Sequence, residues 1–248
     1  MLKFSIITAT KNSQATLSDT VDSVLCQKYP LIEYIVKDGI STDGTLKILA
    51  AYGNKINQVV SQKDQGIYDA LNQGINLASG DIIGFLHSDD LYMHENVLNR
   101  IAEVFKKENC DAVYSDLYYV NREDKEKIFR KWKSGKYREG MFLEGWMPPH
   151  PTFFVKKEVY MKYGNFNTEF KTAADYELML RFIHKHKIAL TYLEEFTIKM
   201  RVGGQSNLSL ENRIIANRED RKAWKVNGLK PRFYTLTWKP IRKIFQYL

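Results

Sequence analysis

The chain has 248 residues, 44% of them hydrophobic and 27% charged, proportions ordinary for a soluble globular protein of one generous domain. The net charge is +8, but ten basic and two acidic side chains lie from Arg213 onward, leaving 27 of each sign before it. No run approaches the ~18 apolar residues of a membrane-spanning helix, and two cysteines exclude a disulfide framework.

Met1–Ile7 leads straight into a strand pattern, without the apolar core and small-residue cleavage site of a secretory leader. Phe4–Thr10 is the first predicted strand. A helix follows over about Thr16–Gln27, with Leu17, Val21, Val24 and Leu25 at helical spacing. Cys26 is expected on its apolar face as a buried free thiol, and a reducing, cytosolic setting follows. Glu33–Lys37 is the second strand. It breaks at the turn-rich Asp38–Thr45, which opens a helix running to Tyr52. Ile56–Ser61 is the third strand. Ile67–Ala78 is a helix with Ile67, Ala70, Leu71, Ile75 and Ala78 on one side. Ile82–Leu86 is a short apolar run that reads as a buried strand. This β-α-β-α-β-α-β order implies right-handed crossovers and a parallel sheet.

Beyond Tyr92 a helix is expected over Glu95–Lys107, and strands over Asp111–Val120 and Lys127–Lys133. Ser134–Pro149 reads as irregular. A short strand at Thr152–Val155 precedes helices at Lys156–Tyr163 and Asp175–Lys187. Ile188–Arg201 is extended, Gly203-Gly204 a turn and Ser206–Val226 a long helix. The last stretch, Arg232–Leu248, interleaves aromatic and aliphatic residues with basic ones.

Four polar clusters fall at strand ends: Thr8–Asn12, Asp38–Asp43, Asp64 and Asp89/Asp90. In a parallel sheet the carboxyl ends of the strands share one edge, where ligands gather. Each cluster alone also suits a turn or helix cap. Their coincidence on one edge favours a site, and adjacent carboxylates such as Asp89 and Asp90 invite a divalent cation. The absence of GxGxxG after the first strand and of GxxxxGK[ST] argues against a dinucleotide site and a P-loop.

The segments ITATKNSQATL, IVKDGISTDGT, SQKDQGIYDALNQG and ASGDIIGFLHSDD, followed by PHPTFF and ADYEL, together resemble family 2 glycosyltransferases of the GT-A fold. The resemblance covers roughly the first 210 residues. It implies an α/β fold with a mostly parallel sheet flanked by helices. The catalytic domain would be 1–205, divided into a donor half (1–92) and an acceptor half (93–205), with 206–248 as a basic helical extension. It implies inverting transfer of a sugar from a nucleoside-diphosphate donor, taken as a UDP-sugar, to an acceptor hydroxyl. That acceptor would be a saccharide or lipid-linked saccharide in surface polysaccharide or glycolipid assembly. Residue by residue it places Thr8, Ala9 and Asn12 near the nucleotide, Asp38, Ser41 and Asp64 around base and ribose, and His87 and Ser88 in the acidic motif. Asp89 becomes the ligand of Mg2+ or Mn2+, His150 a further candidate ligand, and Asp175 the catalytic base. His87 departs from the usual acid, and Ala174 from a usual Glu before the base.

Some features keep two readings. His150 is a metal or phosphate contact, or a packed side chain between two prolines. Trp146 is an acceptor platform or a packing residue. Gly203–Ser206 closes over a diphosphate, or is a turn and cap. The basic tail meets an anionic membrane as a peripheral anchor, or is solvated; nucleic acid is not the expected partner. The rival functions are a nucleotidyltransferase and a non-enzymatic binder acting through the tail.

Overall fold

The computed structural model describes residues 1–203 and 210–244. The first half alternates as the hydrophobic pattern requires: β1 (Phe4–Thr10), α1 (Leu17–Leu25), β2 (Ile32–Asp38), α2 (Thr45–Tyr52), β3 (Gln58–Ser61), α3 (Ile67–Leu77) and β4 (Ile82–Phe85). The second half holds β5 (Leu91–Tyr92), α4 (Val97–Lys107), β6 (Ala112–Val120), β7 (Ile128–Trp132), β8 (Phe154–Lys156) and α5 (Lys157–Tyr163). It continues with α6 (Ala174–Met179), β9 (Leu190–Arg201), α7 (Leu210–Val226) and α8 (Thr235–Ile244).

All nine described strands form one sheet, in the order β3-β2-β1-β4-β8-β6-β9-β5, with β7 also on β6. β1 lies between β2 and β4, parallel to both, and β2 is parallel to β3. β8 runs antiparallel to β4 and β6, so it turns the sheet from its parallel half to a mixed one. The long parallel pairing of β6 with β9 keeps most paired positions parallel.

β1 is buried along its whole length, which is why its sequence is a continuous run and not an alternation. Ile7 and Ala9 enter a core shared with α3, α5, α6, α7 and α8. Phe4 and Ile6 enter the opposite core, under α1, α2 and α4. The two C-terminal helices belong to the first core through Ala223, Trp224 and Leu236. The expected boundary at 205/206 falls in the undescribed 204–209 stretch, as do Gly204, Gln205 and Ser206.

Three expectations are corrected. Cys26 is exposed because α1 ends at Leu25 and the cysteine caps it; Cys110 is the buried thiol. Ile67 is also exposed, since the first residue of α3 lies beyond the stripe set by Ala70, Leu71 and Ile75. The helix expected over Asp175–Lys187 is α-helical only to Met179 and continues as a π-helical turn over Leu180–Lys185.

The amino ends of the strands are held by one buried carboxylate. Glu33 accepts hydrogen bonds from Ser5 Oγ (2.5 Å), Ser79 N (2.7 Å), Ser79 Oγ (2.5 Å) and Lys3 Nζ (3.2 Å). It thereby ties β2 to β1 and to the turn before β4. Burial pushes this carboxyl up, but the hydrogen bonds outweigh it and hold it down to about 2. Its stabilisation is therefore complete above about pH 4.5 and lost as pH falls towards 2. Glu33→Gln is expected to lower stability at pH 7 by about 2 kcal/mol. It should also flatten the acid limb of the melting curve between pH 4.5 and 2, read by circular dichroism.

Candidate active site

The carboxyl ends of β1, β2, β3 and β4 open on one edge because the strands are parallel. Thr8 and Ala9 form the floor. Thr8 is fully buried, and its hydroxyl donates to Leu86 O (2.7 Å), tying β1 to the start of the acidic loop. Above them Asn12, at φ 52°, donates its N–H to Ser41 Oγ (2.8 Å) and accepts from Thr42 N (2.8 Å).

Asp38 organises the second loop. It is fully buried, and its carboxylate accepts from Ser41 Oγ (2.5 Å), Ser41 N (3.1 Å) and Ser61 Oγ (2.6 Å). These bonds hold Ile40 at φ 58°, a strained region for a β-branched residue, with its side chain half exposed beside the site. Gly39 leaves room for the next acid: a Cβ here would stand 2.6 Å from Asp64 Oδ2 and force that carboxylate to shift. Asp64 thus reaches over the second loop from the end of β3, and Gly66 N fixes it by donating to Oδ1 (3.0 Å).

The fourth loop is His87-Ser88-Asp89-Asp90. Ser88 Oγ shares a hydrogen bond with Ser13 Oγ (2.9 Å), and Ser88 O accepts from Thr16 Oγ1 (2.8 Å). Asp89 is half-buried, and its backbone carbonyl accepts from Arg201 Nη1 (2.9 Å). Arg201 is itself buried at the end of β9 and pairs through Nη2 with Asp19, which also receives Lys125 Nζ (2.7 Å). Asp90 points the other way, into the protein. Burial pushes its carboxyl well above the usual range, the charge of Asp89 adds to that, and Arg201 offsets only part.

His87 and His150 face each other at 5.7 Å between ring centres, and His150 also stacks on Phe85 at 5.5 Å. Burial pulls both imidazoles down, His150 to about 3, so both are neutral. His87 is also acted on by the charges of Asp89 and Asp175, which puts all four groups in one neighbourhood. His87 Nδ1 and His150 Nε2 are buried without a hydrogen-bond partner.

Asp175 lies in the first turn of α6, half-buried. Tyr68, from α3, donates its hydroxyl to Asp175 Oδ1 at 3.3 Å. Burial, reinforced by the Asp175 charge, pushes this phenol well above its usual value, so it remains a donor. The segment leading into α6 is held by Glu219 of α7, which accepts from the N–H groups of Lys171 (2.8 Å), Thr172 (2.8 Å) and Ala173 (3.0 Å). Trp224 Nε1 donates to Tyr176 OH at 2.9 Å, so α7 grips the residue next to Asp175.

The loops that carry the sequence-derived residues therefore meet along one edge of the sheet, with Thr8, Ala9 and Asp38 as its buried frame. Trp146 does not join them. It is buried between Tyr114, Tyr137 and Phe142 and donates Nε1 to Ser134 O (2.8 Å), so it packs the core and offers no platform. Sequence reasoning missed Tyr68, Arg201 and Glu219. Tyr68 sits within a quoted motif, SQKDQGIYDALNQG, but only the fold brings it to Asp175.

Three side chains here each carry a donor atom of a type that divalent cations accept, without forming a preassembled cage. Asp89 offers a carboxylate at the opening, and His150 and His87 offer neutral, unpartnered ring nitrogens. Among the described residues no group of three or more His, Cys, Asp or Glu encloses an ion. A cation here would complete its shell with ligand oxygens and water.

The sequence matches the family model described as Glycosyl transferase family 2 over residues 5–164. A Mycobacterium bovis (strain BCG / Pasteur 1173P2) protein named PGL/p-HBAD biosynthesis glycosyltransferase is 28% identical over 217 residues, covering 86% of this chain and 82% of the relative. A Mycobacterium tuberculosis (strain ATCC 25618 / H37Rv) protein named an uncharacterized glycosyltransferase is 33% identical over 179 residues, covering 71% and 67%. Among solved structures, Staphylococcus aureus TarS 1-349 in complex with UDP-GlcNAc superposes with a TM-score of 0.70 at 19% identity. The match takes in 91% of this chain and 65% of that one. A mannosyltransferase from Pyrobaculum calidifontis, in complex with GDP-Man and Mn2+, gives 0.67 at 17% identity, covering 99% and 69%. At these identities the structural likeness is one of fold, and this chain spans about two thirds of either solved chain.

Asp90 gives the site a measurable signature. A carboxyl raised by burial binds its proton more tightly when folded, so the folded state loses stability as pH climbs past the ordinary carboxyl range. In metal-free protein, Asp90→Asn is expected to raise the melting temperature at pH 7 by about 3 °C. The gain should vanish near pH 4. Equal shifts at both pH values would contradict a buried, protonated Asp90.

Proposed function

The chain belongs to glycosyl transferase family 2, and from that premise we propose that it moves a sugar from a nucleoside-diphosphate donor to an acceptor hydroxyl by single, inverting displacement. The observation that carries this reading is the convergence of the Asp38, Asp64 and Asp89 loops on the edge that also holds Asp175. The donor nucleotide lies along the carboxyl ends of β1–β3. Asn12, Ser41 and Asp64 contact base and ribose, in a pocket whose shape Thr8, Ala9 and Asp38 maintain from behind. UDP is the favoured nucleotide.

His87, neutral and half-buried, can donate to or accept from a ribose or diphosphate oxygen without bringing a second negative charge, and Ser88 sits beside it. Asp89 would hold Mg2+ or Mn2+, with His150 as a further nitrogen donor. When bound, the ion neutralises charge developing on the leaving diphosphate. Asp175 takes the proton of the attacking hydroxyl as general base. Tyr68 fixes the carboxylate by its hydrogen bond, and Glu219 fixes the helix end that carries it. The acceptor is a saccharide or a lipid-linked saccharide destined for surface polysaccharide or glycolipid. No described helix is long and apolar enough to cross a membrane. We place the activity in the cytoplasm, at the inner face of the membrane. The family match gives no support to the nucleotidyltransferase reading or to a purely non-enzymatic one.

Saturating UDP with Mn2+, at about 100 times its Kd, is expected to add about 2.7 kcal/mol of stability, seen as a rise in melting temperature. Asp89→Asn should abolish the Mn2+-dependent part. No rise with UDP, GDP or dTDP would count against the donor site. Asp175→Asn is expected to lower kcat by about 10²–10⁴-fold while the UDP–Mn2+ shift persists, measured by nucleoside diphosphate release. Tyr68→Phe should lower kcat about tenfold with KM little changed, since only an orienting hydrogen bond to a charged group is lost. An unaltered kcat would remove Tyr68 from the mechanism.

A further inference from the structure

From Arg221 to the C-terminus the sequence has eight basic residues and no acidic one. On α7 the inward side is set by Asp220, Ala223, Trp224 and Asn227, all buried. Arg218, Arg221 and Lys225, three and four residues apart, are exposed on the other side. Lys230 and Arg232 in the following turn are exposed too.

The turn before α8 and the first part of that helix add exposed aromatic rings close in the chain to these basic residues. Thr235 and Leu236 are buried, Thr235 Oγ1 donates to Leu143 O (2.6 Å), and Lys239 Nζ pairs with Asp220 (2.8 Å), so the helix is firmly seated. Phe233 is nevertheless 97% exposed and Trp238 44% exposed. Phe233 stands edge-on to Tyr234 at 5.1 Å, and Trp238 lies one turn beyond Tyr234. These rings stand outside the core that Leu236, at the start of α8, enters. Exposed aromatic rings close to arginine and lysine are the makeup of a membrane-interface segment.

We propose that the outer face of α7 and the start of α8 docks on an anionic lipid bilayer, with Phe233 and Trp238 entering the headgroup layer and Arg218, Arg221, Lys225, Lys230 and Arg232 pairing with lipid phosphates. Charge selects this occupant. A second copy of the chain would bring the same exposed basic residues and be repelled, whereas an anionic leaflet complements them. The docking face is also rigidly joined to the site: Glu219 and Trp224, on the inward side of α7, hold the helix bearing Asp175. A bilayer bound here would therefore set the position of the acceptor end relative to lipid-linked acceptors. That last link alone rests on the transferase reading.

The test is co-sedimentation of the full chain with phosphatidylglycerol/phosphatidylcholine vesicles and with pure phosphatidylcholine vesicles, without turnover. Binding to the anionic vesicles is expected to exceed neutral binding by more than tenfold and to weaken steeply between about 0.1 and 1 M salt. Lys230→Glu with Arg232→Glu should weaken it by at least about fivefold per residue changed. Phe233→Ser with Trp238→Ser should weaken binding and leave the remainder more salt-sensitive. Both pairs replace exposed side chains, and retention of the wild-type melting temperature and UDP–Mn2+ shift verifies folding. Equal binding of the variants and wild type would overturn the proposal. So would preference for single-stranded RNA over anionic vesicles, or a dimer abolished by the aromatic pair. Because binding is scored apart from turnover, an inactive transferase would leave the lipid result intact, and absent vesicle binding would leave the transferase reading intact.

Discussion

The parallel pairing of β1 with both β2 and β4 is the constraint on which the site depends. It aligns the ends of three loops whose residues are far apart in the chain, and it buries β1 on both faces. Polar side chains then have to be satisfied inside the sheet. Thr8 meets this by bonding the Leu86 carbonyl, and Asp38 by collecting donors from Ser41 and Ser61. Both solutions tie one loop to the next, so the framework that satisfies buried polar groups also gives the opening its shape.

The two ends of the sheet use carboxylates in opposite ways. At the amino end Glu33 is buried and fully hydrogen-bonded, which favours its charge and stabilises the fold. At the carboxyl end Asp90 is buried with little compensation and Asp89 is left open, while two neutral histidines lie beside them. Unsatisfied buried groups cost stability. Such groups at the carboxyl edge of the sheet, which also carries the strained Ile40, are what a surface prepared for a charged ligand would carry.

The C-terminal helices connect the site to the outside. α7 holds the segment leading into the Asp175 helix through Glu219 and grips the helix through Trp224, and α8 closes on α7 through Lys239 and Asp220. A basic segment that looks like an appendage by composition is thus a structural support on its inner side. Its outer side is left free to carry charge and aromatic rings, so one helix pair can both position the proposed base and present a docking face.

The sequence by itself determined the parallel half of the fold, because apolar runs of strand length alternate with helical stripes and leave little choice of topology. It also determined which loops bear the acids, since Asp38, Asp64 and Asp89 follow those runs directly. Errors arose where local pattern stops at an element's end, as with Cys26 just past α1 and Ile67 at the start of α3. Trp146 shows the same limit in a loop, where an aromatic residue reads alike whether it packs or binds. Tertiary structure alone decided which groups meet. Tyr68 reaches Asp175 across 107 residues, Arg201 reaches the Asp89 loop across 112, and Glu219 reaches back 46 to Ala173. Such contacts leave no periodicity in the chain, because they are set by how helices and strands pack against one another and not by the spacing of residues along them.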